Sequence, residues 1–509
     1  MSRALQADPA LNGWLAARPR TRDDWRARVH HVSASLERAD WLTSLAPAIA
    51  ATGCAAARLG RAAANGVVVT TGQQPGLFGG PAYTWSKALS ALAMADALEE
   101  LSGVPVAPVF WAASDDADWL EASVTHFATS RGLETVRLEG PATDGMAMAD
   151  VALGPMQAAL DVFRSACGSA AHASVVQVIE QAYVPHATIG AAYVQLLRAL
   201  LEPLGIAVLD ASHPALRLAA DPLLRRALQH AVPVAESLRT RTRAIESAGF
   251  APQVEVFDDL SLVFRTTAGP SGRERDRVRA RVRMADAPQV IREADPGTLG
   301  ANVLLRPIIE RALLPTVAYL AGPGEYAYFA QIAPIAESLG LAVPLAVPRW
   351  SGEVLDGRAL QLREALRLDD GTLLDEHSAE SRVARDALDP EIQDAIERLR
   401  VAVETQLRAV RDAVTRTDPI VSSEVVAGLA NEIDARLDRF ERRILAGVKR
   451  RDSALMRDVA FVRAALRPDG HSPERRLNLL PMLARFGPAI FDAMHDEARA
   501  YAERLVRGD

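Results

Sequence analysis

Five short apolar runs, rich in β-branched residues, alternate with segments of helical periodicity between residues 67 and 347. Each run is apolar on both faces and ends at a turn signal, as in a parallel sheet that helices cover on both sides. Because parallel crossover connections are right-handed, the pattern predicts an α/β fold with a Rossmann-like, doubly wound parallel-sheet core. The predicted strands are 67–71, 104–111, 206–210, 316–320 and 341–347.

Other segments precede and interrupt this alternation. Residues 1–66 have mainly helical spacing, and residues 145–200 form a mostly helical insert. Residues 245–300 contain two strand-like stretches and a Gly-Pro-Ser-Gly turn at 269–272, which predicts an insert with its own hairpins. We therefore expect an N-terminal helical segment and a Rossmann-like core, 67–388, that carries both connecting inserts.

The pattern changes at Asp389-Pro390-Glu391, which combines an N-cap, a first-turn proline and an acid favoured by the helix dipole. Apolar residues then recur every three or four positions on both sides of a turn at Thr417-Asp418-Pro419. This predicts an antiparallel α-helical coiled-coil hairpin in a C-terminal domain, 389–509. Two interpretations stay open: the apolar stripe covers a partner chain, or it packs within its own domain. The stripe is 392, 396, 399, 403, 407, 410, 414, 426, 429, 433, 437, 440, 444 and 448.

Composition and charge favour a globular protein and give no support for a nucleic-acid or membrane partner. Of 509 residues, 49% are apolar and 24% charged, which is typical of soluble globular proteins. The formal net charge of −7 gives no support for a nucleic-acid or membrane partner, although basic residues cluster among acids between Arg273 and Arg283. The N-terminus lacks a signal-peptide core, and no run of about 18 apolar residues predicts a membrane span. We expect a cytoplasmic protein.

Cysteine and histidine give no sign of a metal site. Cys54 and Cys167 form neither a disulfide framework nor a zinc pattern, and they fit a reducing cytoplasm. We expect both to be small buried apolar residues rather than nucleophiles. The ten histidines show no metal-ligand spacing.

The first predicted strand ends in a turn rich in glycine and glutamine. Glycine lets backbone amides approach a ligand, the next helix presents free N–H groups, and glutamine amides both donate and accept. The alternative is a glycine-rich turn whose amides only cap a helix. The turn is not a P-loop, because the Gly-Lys-Ser/Thr ending is missing. The binding candidates are Thr71, Gly72, Gln73, Gln74, Gly76 and Tyr83, and Lys87 is a catalytic candidate.

Two further strand ends carry polar residues. Asp115, Asp116 and Asp118 are catalytic candidates that could hold Mg²⁺ or orient an amine, or could simply cap the next helix. An arginine near the last strands can bind a carboxylate or phosphate, or form a surface salt bridge. Because ligands bind beyond the carboxyl ends of such strands, we expect the three ends to form one site. The remaining binding candidates are Asn302, Arg306, Gly322, Gly324, Glu325, Tyr328, Gln331 and Arg349.

These motifs resemble those of the cysteine ligases proposed for bacillithiol biosynthesis. TGQQPGLFGGPAYTWSK at 71–87 and NVLLRPIIERALLPTVAYLAGPGEYAYFAQI at 302–332 are the most specific, and similar segments at 108–118, 343–351 and 466–487 extend the resemblance over nearly the whole chain. The resemblance implies a Rossmann-like core and a C-terminal coiled coil that forms a homodimer. It implies a reaction that joins the carboxyl group of cysteine to the amine of glucosaminyl-malate. ATP would activate the carboxylate through a cysteinyl-adenylate, with Mg²⁺ as a candidate cofactor.

Ala117 departs from the family pattern, which usually has histidine at this position. Alanine can neither relay a proton nor donate a hydrogen bond. The closing motif also differs, because Ser472-Pro473 precedes Glu474-Arg475 where a glutamine is usual. These departures keep two rivals open: an ATP-dependent amide ligase of the same fold with another amine or amino acid, and a non-catalytic dimeric small-molecule-binding protein.

Overall fold

The chain forms two compact units, which we call the sheet unit and the helical unit. The sheet unit comprises Met1–His126, Thr135–Val354 and Glu474–Asp509, and the helical unit comprises Phe127–Glu134 and Leu355–Pro473. The computed structural model describes residues 1–7, 9–35, 40–140, 145–268, 277–417 and 422–508.

Within these residues the strands form a central sheet of five, an antiparallel sheet of three and a two-stranded sheet. In chain order they are β1 (Val67–Gln73), β2 (Val106–Ala112), β3 (Val124–Thr129), β4 (Gly132–Arg137), β5 (Ala207–Asp210), β6 (Leu260–Thr267), β7 (Val278–Arg283), β8 (Leu299–Ala301), β9 (Thr316–Ala321) and β10 (Ala346–Pro348).

The helices of the sheet unit are α1 to α15, α23 and α24, those of the helical unit are α16 to α21, and α22 begins where the helical unit ends. In chain order they are α1 (Ser2–Ala7), α2 (Arg22–Ala34), α3 (Trp41–Ile49), α4 (Gly53–Asn65), α5 (Tyr83–Ser102), α6 (Trp119–Ala122), α7 (Gln157–Cys167), α8 (Ala173–Ala182), α9 (Ile189–Leu201), α10 (Pro214–Gln229), α11 (Ala231–Ser247), α12 (Ala287–Glu293), α13 (Arg306–Leu313), α14 (Pro323–Phe329), α15 (Ala333–Ser338), α16 (Gly357–Ala365), α17 (Asp370–Leu374), α18 (Glu376–Asp386), α19 (Pro390–Thr417), α20 (Ser423–Arg451), α21 (Ser453–Leu466), α22 (Pro473–Arg476), α23 (Leu480–Phe486) and α24 (Ala489–Arg507).

The central sheet has the strand order β10-β9-β1-β2-β5, and every neighbouring pair is parallel. Each of the five predicted strand runs contains an observed strand, although the last run, 341–347, is a strand only from Ala346, and the prediction of a Rossmann-like, doubly wound α/β core is confirmed. The winding direction reverses between β1, the first strand, and β9, the fourth of this sheet. Ligands bind at such a reversal, beyond the carboxyl ends of the strands. The ends of β1, β2 and β9 therefore meet where a site is expected.

Strand β1 is buried on both faces. Val67 and Val69 pack into one apolar cluster with Trp25 of α2, and Val68 packs into a second cluster with Leu59 of α4. This alternation follows the two-residue period of a strand. The helices of residues 1–66 thus complete the core of the sheet unit, and the structure does not separate them as the sequence predicted.

The two predicted inserts are both present. The helical insert contains α7, α8 and α9, and the second insert forms the antiparallel sheet β7-β6-β8. Strand β6 pairs with β7 through Phe264 and Arg281, and with β8 through Phe264 and Gly300. The predicted turn at 269–272 lies outside the described residues.

The helical unit contains the predicted hairpin as α19 and α20. Asp389 caps α19, because its Oδ1 accepts a 2.8 Å hydrogen bond from the Glu391 N–H. Arg400 joins the two helices through ion pairs of 2.7 Å to Asp438 and to Glu441. Positions 418 and 419 of the predicted turn lie outside the described residues. No described helix of the chain has both the length and the apolar character that a membrane span requires.

Part of the predicted hairpin stripe stays exposed. Ile392, Leu399, Val410, Leu429 and Phe440 keep between 43% and 50% of their surface exposed. These side chains are therefore not covered by their own unit, and they give the hairpin an apolar surface.

The two compact units divide the chain differently from the predicted C-terminal domain, 389–509. Residues 355–388 belong to the helical unit, and the segment from Glu474 onward returns to the sheet unit. Helix α24 packs on α5 and buries Ala498, Ala502 and Val506 in the same apolar cluster as β1. The sequence pattern does not show which unit such a helix packs against, because an apolar helix face has the same spacing whether it covers a hairpin or a sheet.

Candidate active site

A cavity of about 800 Å³ lies at the edge of the parallel sheet where β1, β2 and β9 end. Its wall also includes residues of the insert sheet. The three predicted strand ends therefore meet at one cavity. The predicted residues on the wall are Gly72, Gln73, Gln74, Tyr83, Lys87, Asp115, Asp116, Asn302, Arg306, Gly322, Gly324, Glu325, Tyr328 and Arg349. The predicted residues outside the wall are Thr71, Gly76, Asp118 and Gln331.

Lys87 of α5 is held by three acceptors. Its Nζ donates to Gly72 O and Gln73 Oε1, both at 2.8 Å, and lies 2.6 Å from Glu325 Oε2. Burial lowers the pKa of Lys87, and the neighbouring carboxylate opposes this effect. Burial would raise the pKa of Glu325, but Lys87 and Tyr319 hold it below its usual value. The lysine therefore links the ends of β1 and β9 and has no spare N–H donor.

The paired glutamines converge on Glu121 of the short helix α6. Gln74 Nε2 donates to Glu121 Oε2 at 2.6 Å, while Gln73 Nε2 and the Tyr83 hydroxyl reach Oε1 at 3.2 and 2.7 Å. Burial raises the pKa of Glu121, although the Tyr83 hydrogen bond favours its charged form. The paired amides thus hold a carboxylate of the chain itself at the cavity wall.

Sequence reasoning missed Glu121, which also lines the cavity. The available signal was its position three residues after Asp118, the N-cap of α6. That position is the usual place for an acid at the start of a helix, so it favoured a capping role over a place in the site.

The three predicted aspartates separate into two groups. Asp115 and Asp116 line the cavity, together with Ala117. Asp118 instead caps α6 by accepting from the Glu121 N–H at 3.1 Å, which is the alternative left open by the sequence. Burial, reinforced by the charge of Asp115, raises the pKa of Asp116.

Arg306, at the start of α13, lies in a buried polar network. Its Nη1 is 3.1 Å from Glu310 Oε2, and its Nη2 donates to the Tyr319 and Tyr328 hydroxyls at 3.1 and 3.4 Å. The Tyr319 hydroxyl in turn donates to Glu325 Oε1 at 2.6 Å. Burial raises the pKa of Glu310 to about 7, against the opposing charge of Arg306. Glu310 and Tyr319 were not among the predicted site residues.

Asn302 contributes to the wall mainly by shaping the chain before α13. Its Oδ1 accepts from the Leu305 N–H at 3.0 Å, and its backbone carbonyl accepts from the Arg306 N–H at 2.9 Å. The residue is nearly fully buried.

Arg349 follows β10 and forms a bidentate ion pair with Glu474. Nη1 and Nη2 lie 2.6 and 3.1 Å from the two carboxylate oxygens, and both residues are buried. Its Nε has no hydrogen-bond partner among the described residues. The sequence left open whether Arg349 binds a carboxylate or phosphate or forms a surface salt bridge, and the structure pairs it with a buried carboxylate of the same chain.

The predicted glycines serve different purposes. A Cβ at Gly72 would lie 2.7 Å from the Trp111 carbonyl oxygen, and one at Gly76 would lie 2.6 Å from the Gly80 Cα, so close packing requires both glycines. A Cβ at Gly324 would meet no atom within 4 Å, and this residue lines the cavity. Gly324 therefore has open space where a side chain would stand, whereas Gly76 serves the turn.

Two other binding candidates are structural. Thr71 is buried, and its hydroxyl donates to Leu320 O of β9 at 2.9 Å. Gln331 is buried and bonds the backbone N–H and carbonyl of Val254 at 3.1 and 2.9 Å. The Gln331 amide thus joins the segment after α14 to the segment before β6.

Two arginines of the insert sheet also line the cavity and were not predicted. Arg279 donates to the backbone carbonyl of Asp115, and its guanidinium lies 4.8 Å from the ring centre of Phe264. Arg281 lies 5.6 Å from the same ring centre. The sequence showed only a basic segment with acids among its residues, a pattern that is typical of a solvated surface.

Neither cysteine lines the cavity. Cys167 is buried, and burial raises the pKa of its thiol to about 12, as expected for a small apolar residue. The same expectation is wrong for Cys54, which is exposed at the start of α4.

Two family models match the chain. "Bacillithiol biosynthesis BshC, N-terminal Rossmann-like domain" matches residues 3–350, and "Bacillithiol biosynthesis BshC, C-terminal coiled-coil domain" matches residues 363–504. A Solibacter usitatus protein named "Putative cysteine ligase BshC" is 31% identical, over 86% of this chain and 84% of that relative. Proteins of the same name from Koribacter versatilis and Bacillus velezensis are 30% and 24% identical, over 89% and 92% of this chain and 86% and 90% of the relatives.

Proposed function

The chain belongs to the BshC ligase family of bacillithiol biosynthesis, and we propose that it joins the carboxyl group of cysteine to the amine of glucosaminyl-malate. The observation that carries this proposal is that segments 71–87 and 302–332, which hold the most specific motifs, meet at one cavity. The cavity lies at the winding reversal of the sheet, the usual ligand position in such folds.

ATP is the proposed co-substrate. The open space beside Gly324 gives a nucleotide room at the edge of the parallel sheet. A carboxylate does not acylate an amine unaided at neutral pH, and ATP would supply the activation of the cysteine carboxyl group. Among the described residues, no group of three or more His, Cys, Asp and Glu side chains is placed to hold a metal ion, so we assign no step to Mg²⁺.

Asp116 is the proposed acceptor for the proton that the amine loses as the amide bond forms. It lines the cavity beside Ala117, and its raised pKa brings it nearer to that of a base working close to neutral pH. Asp115 lies next to it and increases this effect through its charge. Lys87 and Glu121 keep the surrounding wall in place through their buried contacts.

Ala117 favours one alternative, in which a ligase of the same fold acts on another amine or amino acid. The side chain that could have contacted a substrate here is reduced to a methyl group on the cavity wall. A substrate screen that favours another pair over cysteine and glucosaminyl-malate would support this alternative.

The proposal is tested by mass spectrometry of the purified protein with glucosaminyl-malate, cysteine and Mg²⁺, with and without ATP. We expect a bacillithiol mass only with ATP, and Asp116→Asn should lower the rate about 100-fold or more. Asp258→Asn makes the same chemical change at a side chain that is 85% exposed, and it should leave the rate unchanged.

Two results would count against the proposal. If the wild-type protein is inactive and Ala117→His is active, the site has been redirected or has lost its activity. If neither forms product, this chain does not catalyse the proposed reaction.

We also propose that the chain is a cytoplasmic homodimer joined through α19 and α20. The apolar residues that their own unit leaves exposed support this proposal. A partner chain would bury that surface, and apolar burial drives most protein association.

A further inference from the structure

The cationic candidates at the sheet edge are already paired with carboxyl groups of the chain. Lys87, Arg306 and Arg349 each have a carboxylate of this chain within 3.1 Å. A bound anion would have to compete with those carboxylates, and separating a buried ion pair is costly. The anionic groups of a ligand therefore need a cation elsewhere on the cavity wall.

Arg281 of β7 is such a cation. Arg281 lines the cavity and also a smaller neighbouring one that Phe257 lines, and across the described part of the chain its side chain makes no ion pair and no hydrogen bond. Its guanidinium lies 5.1 Å from the ring centre of Phe257 and 5.6 Å from that of Phe264. These rings hold the guanidinium in place and leave its N–H groups available to an acceptor.

The charge of Arg281 is poorly compensated where it lies. Burial lowers the pKa of Arg281, and the charge of Glu255 opposes this from beyond ion-pair distance. A bound anion would supply the missing compensation.

A second guanidinium lies over the same ring. Arg279 is held 4.8 Å from the Phe264 ring centre and donates to the backbone carbonyls of Asp115 and Ala301. The carboxylate of Asp115 is 3.8 Å away, beyond hydrogen-bond distance. Two positive charges near one ring repel each other, and an anion bound beside them would offset that repulsion.

We propose that Arg281, assisted by Arg279, forms the subsite that binds the malate carboxylates of the amine substrate. This inference rests on the proposed function, because it assigns one end of the cavity to that substrate. It also makes Arg281 a residue that determines specificity for a dicarboxylate.

Carboxylate and phosphate share the chemistry that arginine recognises, so the source of the anion must be argued. The open space beside Gly324 lies on α14 at the parallel sheet, where ATP is proposed. Arg281 and Arg279 lie on β7 of the insert sheet, a different part of the cavity wall. The planar carboxylates of malate match the fork of the guanidinium.

The test measures binding of glucosaminyl-malate, L-malate and ATP separately by isothermal titration calorimetry. Arg281→Gln should weaken the binding of both malate compounds roughly 10- to 100-fold, as expected for lost charged hydrogen bonds, and should change the affinity for ATP less than about twofold. Arg283→Gln is the matched control on the same strand, because Arg283 is 68% exposed and lies outside the cavity wall. Arg281→Lys keeps the charge without the fork and should retain an intermediate affinity.

The outcomes separate this inference from the proposed function. Binding of L-malate that requires Arg281 supports the subsite even if no bacillithiol is formed. Unchanged malate affinity in Arg281→Gln, or no binding of either malate compound to the wild-type protein, overturns the subsite. A loss of affinity confined to ATP overturns the subsite as well, since Arg281 would then bind a phosphate of the nucleotide. If Arg281→Gln does not fold, Arg281→Lys decides by the same criteria.

Discussion

Arg349 and Glu474 are 125 residues apart in the chain and form a buried, bidentate ion pair of 2.6 and 3.1 Å. The pair joins the end of β10 to α22, and thus ties the start of the returning C-terminal segment to the edge of the sheet. A buried charge that loses its partner is costly, because water cannot replace the partner.

We expect Glu474→Gln to lower the free energy of unfolding by about 3 kcal/mol, because it leaves the Arg349 charge uncompensated. Urea unfolding followed by circular dichroism measures the change. In the control, the free energy of unfolding of the double variant Arg349→Met/Glu474→Leu should fall less than that of the single variant. A single variant within about 1 kcal/mol of the wild type would contradict this account.

Glu121→Gln should disturb the network that the paired glutamines maintain. Glu121 accepts from Gln73, Gln74 and the Tyr83 hydroxyl, and a neutral amide replaces one acceptor oxygen with a donor. We expect kcat/KM for bacillithiol formation to fall about 10- to 100-fold. Glu139→Gln, at an exposed residue, is the control and should retain wild-type kinetics. Equal losses of kcat/KM in the Glu121→Gln and Glu139→Gln variants would contradict a specific role for Glu121.

Glu310 should make stability depend on pH in a defined direction. Its pKa is raised in the folded protein from 4.5 to about 7, so the folded state favours the protonated form. The stabilisation is complete below about pH 4.5 and is lost as the pH rises toward 7, a change of about 3 kcal/mol. The difference in unfolding free energy between wild type and Glu310→Gln should fall by that amount over this range. A difference that stays constant with pH would contradict the raised pKa.

Two glycine variants should separate packing from ligand space. Gly76→Ala should destabilise the fold by about 1–3 kcal/mol, because its Cβ would overlap the Gly80 backbone. Gly324→Val should keep the melting temperature, because its Cβ would meet no atom within 4 Å, and should weaken ATP binding at least about 10-fold, because ATP is proposed to lie beside this residue. Melting curves and ATP titrations of both variants measure these effects. A Gly324→Val protein with wild-type ATP affinity would remove ATP from this position.

Charged residues on the apolar stripe should dissociate the proposed dimer. Leu429→Glu and Phe440→Glu place carboxylates among the exposed stripe residues, and we expect monomers in sedimentation velocity at micromolar concentration. Val401→Glu is the control, because Val401 is 53% exposed on α19 but lies off the stripe. A wild-type protein that sediments as a monomer would contradict the proposed interface.

The sheet could be predicted because its strands have characteristic local sequence patterns. Runs such as 67–71 and 316–320 are apolar on both faces, which indicates a covered parallel sheet, and the shared edge of their carboxyl ends follows from the topology. The partners of the charged residues could not be predicted in this way. Glu474 reaches Arg349 only through the tertiary fold, and no spacing in the sequence reports that contact.

Three candidates that lie outside the cavity wall share one physical feature. Thr71, Asp118 and Gln331 carry side chains that suit a ligand and equally suit a backbone group of the same protein. Buried polar groups must find partners, so a polar residue beside a turn often serves the chain itself. Only the positions of the surrounding atoms distinguish the two uses.

The return of the chain from the helical unit to the sheet unit has a consequence for synthesis of the protein. The apolar cluster beneath β1 includes Ala498 and Val506 of α24, and the Arg349 charge is paired with Glu474. A nascent chain that has left the ribosome as far as residue 388 thus has every strand of the sheet but lacks one of its covering helices. We expect this stage to expose the apolar surface of α5, so a segment made later completes the core around an earlier one.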